Sequence, residues 1–167
     1  KVCHDKNEPA TNKRGTSNQM EFSMWSGPDK HSKAFSVLKE AKTEQIARHL
    51  GMKTLPKEWP NPEEPPEEWN RCLSCHSMNF IDKPRRGQLF KVTDGVSCDG
   101  CHGPASKWGT SHMDEPYEES LKLGMQDIRN PIIRAEMCLS CHLGSHAEGK
   151  IVDHEMIAAG HPRLVFE

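Results

Sequence analysis

The sequence predicts a mostly α-helical protein with extensive irregular loops and little or no β-sheet. Helical periodicity is strongest over residues 32–50, and Gly51 supplies a stop signal. The apolar side chains that recur there at helical spacing are Phe35, Leu38, Ile46 and Leu50. Five prolines among glutamates between residues 56 and 66 predict an extended connector instead of a helix. No alternating apolar pattern marks a strand.

The remaining elements are predicted to be short. Residues 1–32 predict a polar loop after an opening motif, and residues 93–95 predict a turn. Residues 135–143 and 151–159 predict short helices, the second closed by Gly160 and Pro162. The length suits one domain over residues 1–167, and we expect both ends to be truncated.

The chain is poor in the residues that build a core. Leu, Ile, Val and Phe make up 28 of 167 residues, about 17%, below the level at which chains usually fold on their side chains alone. The formal charge of −2 lacks the excess charge typical of disorder. We therefore expect a bound apolar group to fill the interior, and the chain without it to be largely unfolded.

Three pentapeptides of the form Cys-x-x-Cys-His indicate what that group is. They are Cys72-Leu-Ser-Cys75-His76, Cys98-Asp-Gly-Cys101-His102 and Cys138-Leu-Ser-Cys141-His142. This is the attachment motif of c-type haem, in which two thiols form thioethers and the adjacent histidine binds iron. The chain opens on Cys3 and His4, the end of a fourth such motif. The sequence thus predicts four covalent haem c groups, stacked together, around which the helices and loops are organised.

The competing interpretations explain the motifs less well. A structural zinc site has no use for a histidine after every cysteine pair, and a thiol–disulfide motif needs a βαβ context that the sequence does not show. All seven cysteines are used by the haem interpretation. The proximal iron ligands are therefore predicted to be His4, His76, His102 and His142.

Six further histidines could complete the irons. We expect His31, His112, His154 and His161 to be the distal ligands, so that every iron is held by two histidines. His49 lies in a predicted last helical turn, where it suits the helix dipole without a metal, and His146 lies close behind His142 in a loop. Methionine is the competing distal ligand, and it would raise the reduction potential.

With these motifs placed, most of the chain resembles the tetrahaem cytochromes c that accept electrons from hydroxylamine oxidoreductase, and the wider multihaem group with the same haem arrangement. The resemblance rests on Trp25 with the segment Asp29-Lys30-His31-Ser32-Lys33-Ala34, on residues 95–105 around the third motif with His112, and on residues 152–164. It implies that His31 serves the haem held by His102, and His112 the haem held by His4. It assigns His154 and His161 to the haems of His76 and His142, in an order that stays open.

Electron transfer is the leading functional hypothesis, since four haems in a chain of this length must approach one another closely. No catalytic residue is assigned. One alternative is an oxidoreductase for a small nitrogen or sulfur species at an open haem, with Lys107, Arg134 or His146 as acid or base. Another is a subunit of an extracellular conductive filament that assembles through haem edges.

The partners and compartment follow from the same chemistry. We expect redox protein partners, either other cytochromes or oxidoreductases. Haem propionates make the protein more acidic than its sequence, which disfavours nucleic acid, and no run of apolar residues is long enough for a transmembrane helix. Because haem is attached outside the cytoplasmic membrane, a periplasmic or extracellular location is predicted.

Overall fold

The computed structural model describes residues 4–5, 20–78 and 87–164, and within them the protein is helical and irregular, as predicted. The α-helices are α1 (Glu21–Ser26), α2 (Ala41–His49), α3 (Asn70–His76), α4 (Cys98–His102), α5 (Tyr117–Lys122), α6 (Pro131–His142) and α7 (His154–Ala159). Short 3₁₀ turns connect them. The described residues contain no strand, and the single β-bridge joins Ser145 and Lys150.

The helix predicted over 32–50 is broken into three pieces. Two 3₁₀ turns, Lys30–Lys33 and Ser36–Lys39, precede α2. Glu40 has extended backbone angles, so a continuous helix cannot pass through it. The Thr43 hydroxyl donates to the Val37 carbonyl at 2.7 Å across the break. The apolar spacing identified the buried face correctly, because Phe35, Leu38 and Ile46 are all buried.

The other predicted elements differ mainly in extent. The helix predicted over 135–143 begins earlier, at Pro131, where Asn130 caps it by accepting from the Ile132 N–H. The predicted last helix is shorter and ends at the left-handed Gly160. Helix α1 lies in the segment predicted as a polar loop, and the Trp25 indole anchors it by donating to the Val96 carbonyl at 2.8 Å.

The main cluster of buried apolar side chains lies in one part of the chain. Its buried members all fall between residues 35 and 92: Phe35, Leu38, Ala47, Leu55, Trp59, Trp69, Leu73 and Val92. Two carboxylates brace the loops around it. Glu68 accepts from the backbone N–H groups of Lys53 and Thr54 and from the Thr54 hydroxyl, and Glu63 accepts from Val92 and Thr93.

The later part of the described chain has little core of its own. Helix α6 contains no buried residue, and its Ile132 is 67% exposed. Helix α7 is held against α2, where the His49 ring nitrogen donates to the Ala159 carbonyl at 3.2 Å. The apolar side chains around the last attachment motif are thus largely left uncovered by the polypeptide, and Leu143 at the end of α6 is 55% exposed as well.

Candidate haem-binding sites

Each complete attachment motif ends a helix. His76, His102 and His142 are the last residues of α3, α4 and α6. In a helix, side chains three and four positions apart lie on the same face. The two cysteines and the histidine of each motif therefore face the same side, as attachment to one porphyrin requires. For the opening motif, His4 is described, whereas Cys3 lies outside the described residues.

Three pairs of histidine rings face one another at nearly equal spacing. The ring centroids of His4 and His112 are 6.1 Å apart with planes at 19°. Those of His31 and His142 are 6.1 Å apart at 79°, and those of His76 and His161 are 6.4 Å apart at 86°. A metal ion lies about 2 Å from a ligating imidazole nitrogen, so two imidazoles on opposite sides of one ion have centroids roughly 6 Å apart. The spacing fits an iron between each pair.

Hydrogen bonds to the outer ring nitrogen support this fit. A metal-ligating histidine usually donates its second ring N–H to a carboxylate or carbonyl. Here the Nδ1 atom of four paired histidines has such an acceptor. His4 bonds the Glu21 carboxylate at 3.1 Å, His31 the Asp29 carboxylate at 2.9 Å, His76 the Ala34 carbonyl at 2.8 Å and His161 the Pro162 carbonyl at 2.7 Å. Nε2 is thereby left as the atom that can ligate.

His112 differs, because its Nδ1 is buried and has no hydrogen-bond partner. An unpartnered buried nitrogen is costly unless another group satisfies it. A metal bond through this Nδ1 atom would do so, in which case His112 would ligate through Nδ1 where the histidines above would ligate through Nε2. Burial also lowers the pKa of His76 and of His102, and nearby His161 and His4 respectively lower it further. Neutral imidazole is the form that binds iron.

The cysteines lie in a consistent order in space. Burial raises the pKa of Cys72 to about 11 and raises those of Cys98 and Cys101. The interaction between the Cys75 and Cys141 thiols raises the pKa of the first and lowers that of the second. The charges of Cys138 and Cys141 raise the pKa of Cys101 further. The second, fourth and third motifs are therefore neighbours in that sequence.

The third motif in turn lies beside the first. The Trp108 ring is 6.4 Å from the ring of His102 and 5.7 Å from that of His112, so it bridges the two sites. Its indole nitrogen is buried without a partner in the described structure. These neighbouring side chains favour the order first, third, fourth, second for the four candidate attachment motifs.

Some of the predicted distal histidines face the expected partner in the structure, and others do not. His112 faces His4, as the resemblance implied, and His161 faces His76. His31 faces His142, whereas the resemblance implied the haem held by His102. His154 is exposed at the start of α7 and has no ring contact with the other described histidines. His49 and His146 join no pair.

Sequence reasoning missed the residues that orient the ligands. Asp29 carried a local signal, because an aspartate two residues before a histidine at a 3₁₀ turn can cap it, and it accepts from the His31 backbone N–H as well. Glu21 gave no signal, since it lies 17 residues from His4 in the chain. Among the described residues, histidine, cysteine, aspartate and glutamate side chains form no cluster of three or more suited to a metal ion.

Comparison with known proteins identifies the family. No helix in the described part of the chain is long and apolar enough to cross a membrane. No curated protein and no solved structure matches the chain significantly. The family model described as cytochrome c554 and c-prime matches residues 1–103, more than half of the chain. With its attachment motifs on helix ends and its histidines facing in pairs, the chain belongs to the cytochrome c554 and c-prime family, and it is a c-type cytochrome that carries electrons on covalently bound haem c.

Proposed function

We propose that the protein is a tetrahaem electron carrier in which every iron is ligated by two histidines. The observation that supports this most directly is the set of three histidine ring pairs at 6.1–6.4 Å. When bound, each haem supplies an iron that accepts and returns one electron. The polypeptide attaches the groups, orients their ligands and tunes their potentials.

Each site takes its ligands from distant parts of the chain. The first would use Cys3, His4 and His112, and the second Cys72, Cys75, His76 and His161. The fourth would use Cys138, Cys141, His142 and His31. The third would use Cys98, Cys101 and His102. We assign it His154 as the remaining distal candidate, which requires the exposed start of α7 to reach this site in the loaded protein.

The neighbouring motifs define a route for electrons. A row in the order first, third, fourth, second is supported by the mutual influence of Cys75 and Cys141 and by that of the fourth motif on Cys101. It is also supported by the ring contacts of Trp108 with His102 and His112. Electrons would enter at one end of this row and leave at the other. The partners would be redox proteins, and by the sequence resemblance the donor would be of the hydroxylamine oxidoreductase type, in the periplasm or outside the cell.

A second candidate function follows from the third site. There the ring nearest His102 is Trp108, whose indole carries no ligating lone pair. An iron at His102 without a histidine opposite would be open to a small molecule. In that case the protein would be an oxidoreductase for a small nitrogen or sulfur species.

Two measurements on the mature holoprotein test these proposals. Intact mass should equal the chain plus four haems, and low-temperature electron paramagnetic resonance should show low-spin ferric signals only. One high-spin signal with rapid cyanide binding would favour the oxidoreductase, provided that among histidine variants only those at His102 lose the signal. Fewer haems, or zinc on the cysteines, would overturn both.

A further inference from the structure

We propose that Lys150 and Glu148 shift the reduction potentials of the second and fourth haems in opposite directions, with Lys150 raising them and Glu148 lowering them. This inference rests on the proposed function, because it concerns haems attached at Cys75 and Cys141. It assigns a positioning role to a charged pair outside every attachment motif. Neither residue touches an iron ligand in the described structure.

A rigid turn presents the two side chains. Ser145 and Lys150 exchange backbone hydrogen bonds of 2.7 and 2.9 Å, which close a 3₁₀ turn over His146–Glu148. Gly149 completes the turn in the left-handed conformation that glycine adopts without strain. The position of the Lys150 backbone is therefore set by main-chain bonds, independently of its charge.

The ammonium group of Lys150 points at the fourth motif. Its Nζ donates to the Ser140 hydroxyl at 2.9 Å, and that hydroxyl lies 3.9 Å from the Cys141 sulfur. Cys141 and Cys75 are neighbours, since each shifts the pKa of the other. The positive charge thus lies one side chain away from the sulfur of the fourth site and two side chains away from that of the second.

The two charges are unequally exposed to water. The Lys150 side chain is 22% exposed, whereas that of Glu148, paired with it at 2.6 Å, is 54% exposed. Reduction adds an electron to a haem, so a nearby cation favours the reduced form and an anion opposes it. Solvent screens the more exposed carboxylate more strongly. The net effect of the pair should therefore follow the sign of Lys150.

Lys150 stays charged at neutral pH. Burial alone would lower its pKa, but the hydrogen bond that Lys150 donates to the Glu148 carboxylate contributes to raising it above the ordinary value. The alternative is that this ion pair merely holds the turn closed, as many surface ion pairs do with little consequence. A purely structural role predicts the same small effect from removing either partner. An electrostatic role predicts effects of opposite sign.

The test compares potentials of holoprotein variants by spectroelectrochemical titration. We expect K150Q to lower the reduction equilibrium constant of the fourth haem about tenfold, which is about 59 mV for one electron, and that of the second haem less. E148Q should raise both by a smaller factor. K150R should resemble the unaltered protein. K122Q, which removes the exposed pair of Lys122 with Glu119 at 2.6 Å, is the matched control and should change neither.

The outcomes distinguish a failure of the electrostatic role of Lys150 and Glu148 from a failure of the tetrahaem proposal. Shifts of the same sign in K150Q and E148Q, or none in either, would overturn the electrostatic role while leaving four haems in place. If K150Q fails to mature, E148Q alone decides, since it lies at an exposed position and must raise the potentials. Intact mass and electron paramagnetic resonance of the unaltered holoprotein report separately on the tetrahaem proposal.

Discussion

The second and fourth attachment sites are supported in different ways. At the second site both histidine rings donate to backbone carbonyls, His76 to that of Ala34 and His161 to that of Pro162. At the fourth site His31 bonds a carboxylate, that of Asp29. A carboxylate partner makes an imidazole a more basic ligand than a neutral carbonyl does. By itself, this difference in hydrogen-bond partners predicts a lower reduction potential for the fourth haem than for the second.

The same two sites differ in packing. Helix α3 of the second site carries Leu73, which is 0% exposed inside the side-chain core. Helix α6 of the fourth site has no buried residue. Polypeptide packing thus holds one site, while the other depends on the group it binds. An attachment motif can therefore lie on a helix that is packed into the side-chain core or on a helix that lies outside it.

The largest expected effect comes from removing thioether attachment at each site in turn. Cys138→Ser with Cys141→Ser should abolish hydrogen-exchange protection along α6, because no side chain of that helix is buried in the polypeptide. Cys72→Ser with Cys75→Ser should leave α3 and its neighbours protected. Exchange measured by mass spectrometry compares the two. Equal protection of α6 in both variants would contradict the packing contrast.

Removal of a distal ligand should have the next largest effect. His161→Ala leaves His76 without its facing ring, so one haem should become high-spin and bind cyanide. His49→Ala is the matched control. His49 bonds the carbonyl of Ala159, which lies two residues before His161, and it joins no ring pair. Electron paramagnetic resonance counts the high-spin centres. A wholly low-spin His161→Ala variant would show that His161 is not an iron ligand.

The hydrogen-bond contrast can be tested with a smaller change. Asp29→Asn removes the charge behind His31 and should raise the potential of the fourth haem. Because the Asp29 carboxylate is 41% exposed, solvent screening limits the effect to about 0.5–1 kcal/mol, a factor of roughly two to five in the reduction equilibrium constant. Asp127→Asn, at a carboxylate that bonds Tyr117 instead, serves as control in the same redox titration. No shift in Asp29→Asn would remove the basis of the contrast.

The smallest effect should come from the carboxylate that braces the core beside the second site. Thr54 and Lys53 lower the pKa of Glu68 below its usual 4.5. A depressed pKa in the folded state gives stability that is present above pH 4.5 and disappears as the pH falls through the folded value. Glu68→Gln should lower the melting temperature by about 2–4 °C at neutral pH, with the deficit vanishing in acid.

Thermal melts at several pH values check this, with Glu67→Gln as a neighbouring exposed control. The deficit of Glu68→Gln should appear without any change in the fourth site. A deficit that grows as the pH falls would reverse the expected sign and exclude Glu68 as the group responsible.

Much of the fold was predictable in kind but not in its boundaries. The buried face of residues 35–46 was evident from apolar spacing, yet the extended backbone at Glu40 was not, because the Thr43 hydroxyl that bridges the break gives no periodic signal. Helix α1 escaped prediction for a related reason. Its six residues are too few for a reliable period, and its anchor is a long-range bond from Trp25 to Val96.

The proximal half of each proposed site was evident in the sequence because its chemistry is local. Two cysteines and a histidine at fixed spacing share a helix face wherever that helix lies. The identity of haem c, the shortage of apolar side chains and the mostly helical class all follow from such short-range features. The tertiary structure did not alter any of them.

Only the tertiary structure decided which histidine faces which. His31 and His142 are more than a hundred residues apart, and every histidine offers the same imidazole, so spacing along the chain carries no information about the pairing. The turn at Asp29, the position of α6 and the carbonyl of Ala34 together select the partners. Local chemistry predicted where the haems would attach, and long-range packing determined which histidine rings face one another.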